Sequence, residues 1–438
     1  MTRDFKPRAF RALREEGPGR RLAAAVLGLG LSLSVGPSGC NGRFVERSIS
    51  GAFANRSALG VQSACLPQFA DRGAWQGGDA AASVPLPHGD GRTSLWLFGD
   101  SFVERTDSPH ARAYPFVHNA VAVSHCGDRG AWRMEFAWGG QTDPAPRAFF
   151  EPDPNAEWVK RIRTPSGDEA YYWPISGTVV RGTLVVALLR VAPAAARGPF
   201  QLPFRLVGVD LAQIENSSRP PHEWSIRIST LSSRADILPA SSLVANGDYL
   251  YAFSFLDRGD GRSPRILTRL PIDALASRRP DLEHPLETLA QDGRWIPGLA
   301  LEAARILMAD DASEMSVHFD PGLREWLAVY SDPANDAGGP PSDVVWLRRA
   351  KELEGPWSER VALWHIPELA ASSDPEPGEP FCYAAKAHPQ FAESGRLLVS
   401  YVCNVFAETE ADIPAVLERL RTTPSLYRPR AVRLAVPR

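Results

Sequence analysis

Two carboxylates between residues 77 and 103 are the groups in this chain whose type and spacing first point to chemistry. The stretch GGDAAASVPLPHGDGRTSLWLFGDSFV reads as two strands joined by a turn. Asp79 opens the first strand, alternation continues from Ser83 to Leu86, and HGDGRT supplies the turn. The second strand, 95–98, is apolar on both faces and is expected to be buried. It stops at Gly-Asp-Ser, which places Asp100 at its end. The two aspartates therefore fall on neighbouring strands of one buried hairpin. Buried aspartate is rare unless it is paired or functional; the competing reading is that each merely caps a turn or strand end. As a pair they suit acid–base chemistry at a sugar linkage, where one carboxyl protonates the leaving oxygen and the other acts as base or nucleophile. Mutual repulsion would raise one pKa and keep an acid available at neutral pH.

The elements that must hold such a pair follow from a recurring pattern. The chain has 438 residues, 44% hydrophobic and 23% charged, an ordinary globular balance. Twelve Trp, nineteen Phe and nine Tyr accompany 35 Gly and 39 Pro, which fits a β-rich, loop-rich fold. A net charge of −3 with no basic patch argues against a nucleic-acid partner. Pairs of strands separated by a Gly/Asp turn, followed by outer strands and a long loop, recur five times. They begin near 79, 172, 242, 314 and 383. No copy is large enough to bury a core alone, so the expected fold is all-β, a five-bladed β-propeller. The spacing is roughly 70 to 90 residues against about 40 to 50 for compact blades, so the excess lies in long inter-strand loops. Helix is scarce: 271–277 reads as one short helix, and 413–421 as a helical insertion in the last blade. The fifth copy lacks an outer strand, which 59–66 is expected to supply in closing the ring.

The first forty residues fall outside this pattern. An Arg-rich start precedes the apolar run LAAAVLGLGLSLSV and then GPSGC, ending at Cys40. This resembles a lipoprotein signal in which Cys40 becomes the lipidated N-terminus; a secreted form and an uncleaved anchor are the alternatives. The expected organisation is a signal over 1–40, a linker over 41–58 and a propeller over 59–438. The protein would be exported, touching a membrane only through lipid. If Cys40 carries lipid, Cys65, Cys126, Cys382 and Cys403 remain, with three possible pairings in an oxidising compartment. Cys382 and Cys403 flank a hairpin and are paired on that ground, leaving Cys65 with Cys126. No Cys/His spacing indicates a metal site, and no cofactor is expected.

LWLFGDSF, HNAVAVS, GVDLAQIEN with EWSIRI, EMSVHFD with EWLAVYSD, LEGPWSE, and YAAKAHPQF with LLVSYVCN occur in that order. The series resembles the five-bladed β-propeller glycoside hydrolase superfamily. Within it, the chain is similar to a bacterial and phage group, once of unknown function, that includes endo-D-arabinanases. The resemblance covers roughly residues 62–438. It implies a funnel-shaped site on the channel axis, faced by the innermost strands, with Asp79 and Asp100 as the catalytic pair. Glu314 matches an acidic position that acts as general acid in other members. The residue after Ala-His-Pro is Gln390, where glutamate would be expected.

Around these, Tyr172 and Trp173 could stack on sugar rings, and His118, Asn119, Lys386, His388 and Asn404 could bind hydroxyls; Tyr383 begins an inner strand. Each alone has a structural reading. The expected function is cleavage of a glycan, with D-arabinan or a related furanose polymer as substrate. The alternatives are a catalytically silent propeller that binds glycan or protein at the cell surface, and a phosphorylase using Lys386 and His388. Convergence of Asp79, Asp100 and Glu314 on one place separates the first from the second.

Overall fold

The structure is a computed structural model that describes residues 65–69, 74–88, 92–103, 116–141, 145–162, 169–194, 204–256, 263–310, 312, 314–332, 343–369, 380–393, 395–405, 413–423 and 425–437. The signal, Cys40, the linker and most of 59–66 lie outside them. Among the described residues no helix is long and apolar enough to cross a membrane.

The described chain is all-β, built from six small antiparallel sheets with a few short helices. Five sheets follow in sequence, each starting with an innermost hairpin. Their first strands are Ala82–Pro85, Tyr171–Val180, Ile237–Asn246, Ser316–Asp320 and Pro380–Ala387. The second strands are Thr93–Phe98, Thr183–Pro193, Tyr249–Leu256, Glu325–Ser331 and Arg396–Val405. These are the most buried, as their unbroken runs of Leu, Val, Phe and Trp require. The sixth sheet is small: Trp75–Gly78, Ser101–Val103 and Phe116–Val117.

Apolar side chains from each sheet pack against the next. Val84 and Leu97 of the first meet Leu184 and Val186 of the second. Val185 and Leu189 meet Leu238 and Leu250 of the third. Phe253 and Leu267 meet Val317 and Tyr330 of the fourth. Val329 and Val345 meet Val399 and Cys403 of the fifth. Leu398 and Phe391 return to Trp96 and Phe98 of the first, which completes the cycle.

Two expectations are corrected. The third sheet has five strands, because Glu287–Leu289 and Trp295–Pro297 add an outer hairpin. Of the segment 59–66 only Cys65 and Leu66 are described, without strand structure, so the expected closing strand lies outside the described residues; among those, the fifth sheet has three strands, ending in Arg430–Ala435. Among the described residues, side-chain packing joins the last sheet to the first. Asp79 does not open a strand; it lies in the connection between Trp75–Gly78 and Ala82–Pro85. Both disulfides form as expected, Cys65–Cys126 and Cys382–Cys403. The helices appear at Ile272–Ala276 and Ile413–Thr422, the latter packing on the fifth sheet.

Candidate functional site

Asp79 and Asp100 lie where two chain passes leave the small sheet for the first large one. Gly78 pairs with Ser101. One residue on, the Asp79 amide donates to the Asp100 carbonyl at 3.2 Å, and the Gly99 amide donates to the Asp79 carbonyl at 3.2 Å. The backbone thus fixes the two aspartates opposite each other. Ala80 and Ala81 then turn the chain with φ of 65° and 52°, a left-handed conformation uncommon outside glycine. Gly99 is required by space: a Cβ there would fall 2.4 Å from Asp79 Oδ1.

Asp79 is half-buried, and its Oδ2 accepts a hydrogen bond from the Tyr383 hydroxyl at 2.8 Å. Tyr427 turns its hydroxyl toward the same carboxylate without the geometry of a full hydrogen bond. Burial, reinforced by the charges of Asp100 and Glu314, pushes the Asp79 carboxyl from 3.8 up to about 8; the two tyrosines oppose this. Asp100 is fully buried. Its Oδ1 accepts from Trp173 Nε1 at 3.0 Å and lies 3.2 Å from His118 Nδ1, while its Oδ2 has no partner among the described residues. Burial raises its pKa as well, against the pull of His118 and Trp173. Two carboxyls that each resist ionisation and repel one another retain a proton between them at neutral pH.

Glu314 faces the same place, since its charge is felt at Asp79. It forms an ion pair with Lys386, whose Nζ also donates to the Ala80 carbonyl at 2.9 Å. Lys386 therefore braces the strained turn after Asp79. His118 forms the rim; its ring stacks on Tyr171 with centroids 3.5 Å apart and an interplanar angle of 7°. The structure brings together Asp79, Asp100, Glu314, His118, Trp173, Tyr383 and Lys386.

It does not bring the remaining predicted residues to the same place as ligand groups. Asn119 is fully buried, and its amide is taken by the backbone of Phe150 and Tyr172. Tyr172 points to the opposite side of its strand and donates to Asp210. His388 is buried between Ser83 and Ser400, at 2.6 and 2.7 Å, and burial lowers its pKa to about 3. With His388 so engaged and Lys386 buried against Glu314, the pair expected of a phosphate pocket is already occupied. Asn404 accepts from the Val405 amide and supports Tyr383, one step behind the carboxylates. Gln390 bonds Ser83 and Ser94, a packing role.

Tyr171 and Tyr427 were missed. Tyr171 was readable, because on a strand it shares a face with Trp173 two residues on. Tyr427 follows the last helix, and nothing around it in the sequence marks it.

The family model described as "Domain of unknown function (DUF5005)" matches residues 68–271 and 339–436, an interval that includes both aspartates and leaves out Glu314. No curated protein matches the sequence. Among solved structures, one described as a "putative hydrolase" from Bacteroides ovatus superposes with a TM-score of 0.57 at 15% identity, covering 82% of this chain and 86% of that one. At that identity the likeness is one of fold. An endo-arabinase from Bacteroides thetaiotaomicron gives 0.37 at 12% identity over 82% of this chain and 94% of that one. A xylan beta-1,4-xylosidase from Bacillus halodurans gives 0.39 at 13% over 76% and 50%. Scores this low carry no argument about the site.

Proposed function

The chain belongs to the DUF5005 family, and we propose that it is an exported glycoside hydrolase built on a five-bladed β-propeller, acting on D-arabinan or a related furanose polymer. The observation that carries this reading is the pair Asp79 and Asp100, fixed opposite each other by backbone hydrogen bonds, with both carboxyls pushed toward the protonated form. Asp79, half-exposed and neutral to about pH 8, is the general acid. Asp100, oriented by His118 and Trp173, its other oxygen buried without a partner among the described residues, is the second carboxylate. Glu314, ion-paired with Lys386, adds its negative charge beside Asp79.

The test is a panel of purified arabinans and other cell-wall glycans, with released fragments as readout. Asp79→Asn and Asp100→Asn are each expected to lower turnover at least about 10²-fold, the lower range of acid–base participation. Loss of a mere cap would cost about 1 kcal/mol of stability and leave activity intact. Full activity in both variants overturns the assignment.

A second reading, a catalytically silent glycan-binding propeller, is favoured by the complete burial of Asp100. It wins if the wild-type protein binds the panel without cleaving any member.

Export is part of the proposal. The N-terminal pattern supports a signal ending at Cys40 and a body from 59 onward, with lipid on Cys40 as the membrane anchor. Cys40→Ser is then expected to move the protein from membranes to the soluble fraction. Unchanged membrane association would point instead to an uncleaved apolar segment.

A further inference from the structure

Tyr172 turns away from the carboxylates and lines a cavity on the other side of its strand. Tyr171 and Trp173 face His118 and Asp100, whereas Tyr172 borders a space of about 570 Å3 on the flank of the second sheet. That volume falls within the range of small-molecule sites, about 300–1,000 Å3.

The floor of the cavity is a fixed polar network. Arg190 Nε donates to Asp210 Oδ2 at 2.9 Å, and its Nη2 reaches Asp210 Oδ1 and Thr230 Oγ1, the latter at 2.6 Å. The Tyr172 hydroxyl donates to Asp210 Oδ2 at 2.5 Å. The Arg190 guanidinium also lies 5.2 Å from the ring centroid of Trp158, which forms a wall. Arg190, Asp210 and Tyr172 are all buried, so the floor is rigid before any ligand arrives.

The mouth has an imbalance of charge. Arg161 and Arg205 are exposed there, and neither side chain has an ion-pair or hydrogen-bond partner among the described residues. Two of the lining carboxylates are paired with cations, Glu157 with Lys160 and Asp210 with Arg190, while Asp153 accepts only the Asn155 amide and keeps its charge. Two guanidinium groups against one uncompensated carboxylate leave the mouth of this aromatic-walled cavity positive.

We propose that this cavity binds an anionic saccharide, with a sugar ring against Trp158 and its carboxylate on Arg161 and Arg205. Guanidinium offers a planar donor fork that matches a carboxylate, and an indole face accepts the apolar side of a sugar ring. The polar floor beneath supplies donors and acceptors for ring hydroxyls. This site is separate from the Asp79–Asp100 cluster and stands whether or not that cluster hydrolyses glycans.

Isothermal titration of the purified protein with uronic-acid trisaccharides, neutral trisaccharides and sodium sulfate tests it. Saturable binding of a uronic-acid trisaccharide is expected, weakened at least about tenfold in the Arg161→Gln/Arg205→Gln double variant. Arg294→Gln, at an exposed arginine outside the cavity, is expected to leave the affinity unchanged. Both substituted arginines are solvent-exposed, so an unchanged melting temperature confirms that the double variant is folded. Any of four results overturns the proposal: no binding across the uronic-acid panel, equal affinity for the neutral trisaccharides, equal affinity for sulfate, or undiminished binding by the double variant.

Discussion

At Asp79 the protein retains a carboxyl in a setting that opposes its charge. In the unfolded chain it ionises near 3.8; in the fold it stays protonated to about 8. Above pH 3.8 the unfolded state therefore binds fewer protons than the folded one, and the contribution of this group to stability falls as pH rises toward 8. Asp79→Asn is neutral at every pH and escapes that loss. Its melting temperature relative to wild type is expected to be higher at pH 8 than at pH 4; a pH-independent difference would show that the carboxyl titrates normally. In the wild type, the same protonation should make kcat/KM fall on the alkaline side near pH 8. Gly99 offers an independent probe. A methyl group there meets Asp79 Oδ1 at 2.4 Å, so Gly99→Ala must displace the carboxylate. A drop in kcat of at least about tenfold is expected, with a stability cost of about 1–3 kcal/mol from overpacking. Unchanged kcat would mean that the position of Asp79 is not critical.

At the scale of elements, the sequence revealed the hairpins more readily than their surroundings. Second strands such as Thr183–Pro193 and Tyr249–Leu256 were legible because burial on both faces demands long apolar runs. Glu287–Leu289 and Trp295–Pro297 are three residues each, too short to show alternation; the first becomes a strand by pairing with Arg265–Pro271 and the second by pairing with the first. Asp100 was legible as the end of an apolar run. The position of Asp79 was not, because its geometry comes from left-handed alanines that carry no composition signal. The triplet Tyr171-Tyr172-Trp173 shows how one period-2 rule divides adjacent aromatics between two sides of a strand: two reach the carboxylate cluster, and the middle one reaches the flanking cavity. Reading Tyr172 and Trp173 together as sugar platforms ignored that alternation. Histidines and amides were the least legible residues, since His118 at the rim and His388 in the packed interior differ only in tertiary surroundings.

For the whole molecule, the decisive contact is the seam between the fifth sheet and the first. There Phe391 stacks on Trp96 with centroids 5.8 Å apart and an interplanar angle of 14°, beside Leu398 and Phe98. The aspartates lie at the end of the first sheet, where Tyr383 of the fifth reaches Asp79 and Lys386 reaches the Ala80 carbonyl beside it. Phe391→Ala is expected to cost about 3–5 kcal/mol of unfolding free energy in urea melts. A cost under about 1 kcal/mol would mean that the ring is held closed elsewhere.

The Cys65–Cys126 bond has a mechanical meaning. It ties Cys65 to the end of Ala120–Cys126, while Arg433 Nη2 holds the Cys65 carbonyl at 2.7 Å from the last sheet. A pull on the chain from upstream of Cys65 is therefore delivered to the outer part of the first sheet and across the seam to the fifth. The stretch from Trp75 to Asp79 lies downstream of that knot, so a pull meets the crosslink before it meets the carboxylates.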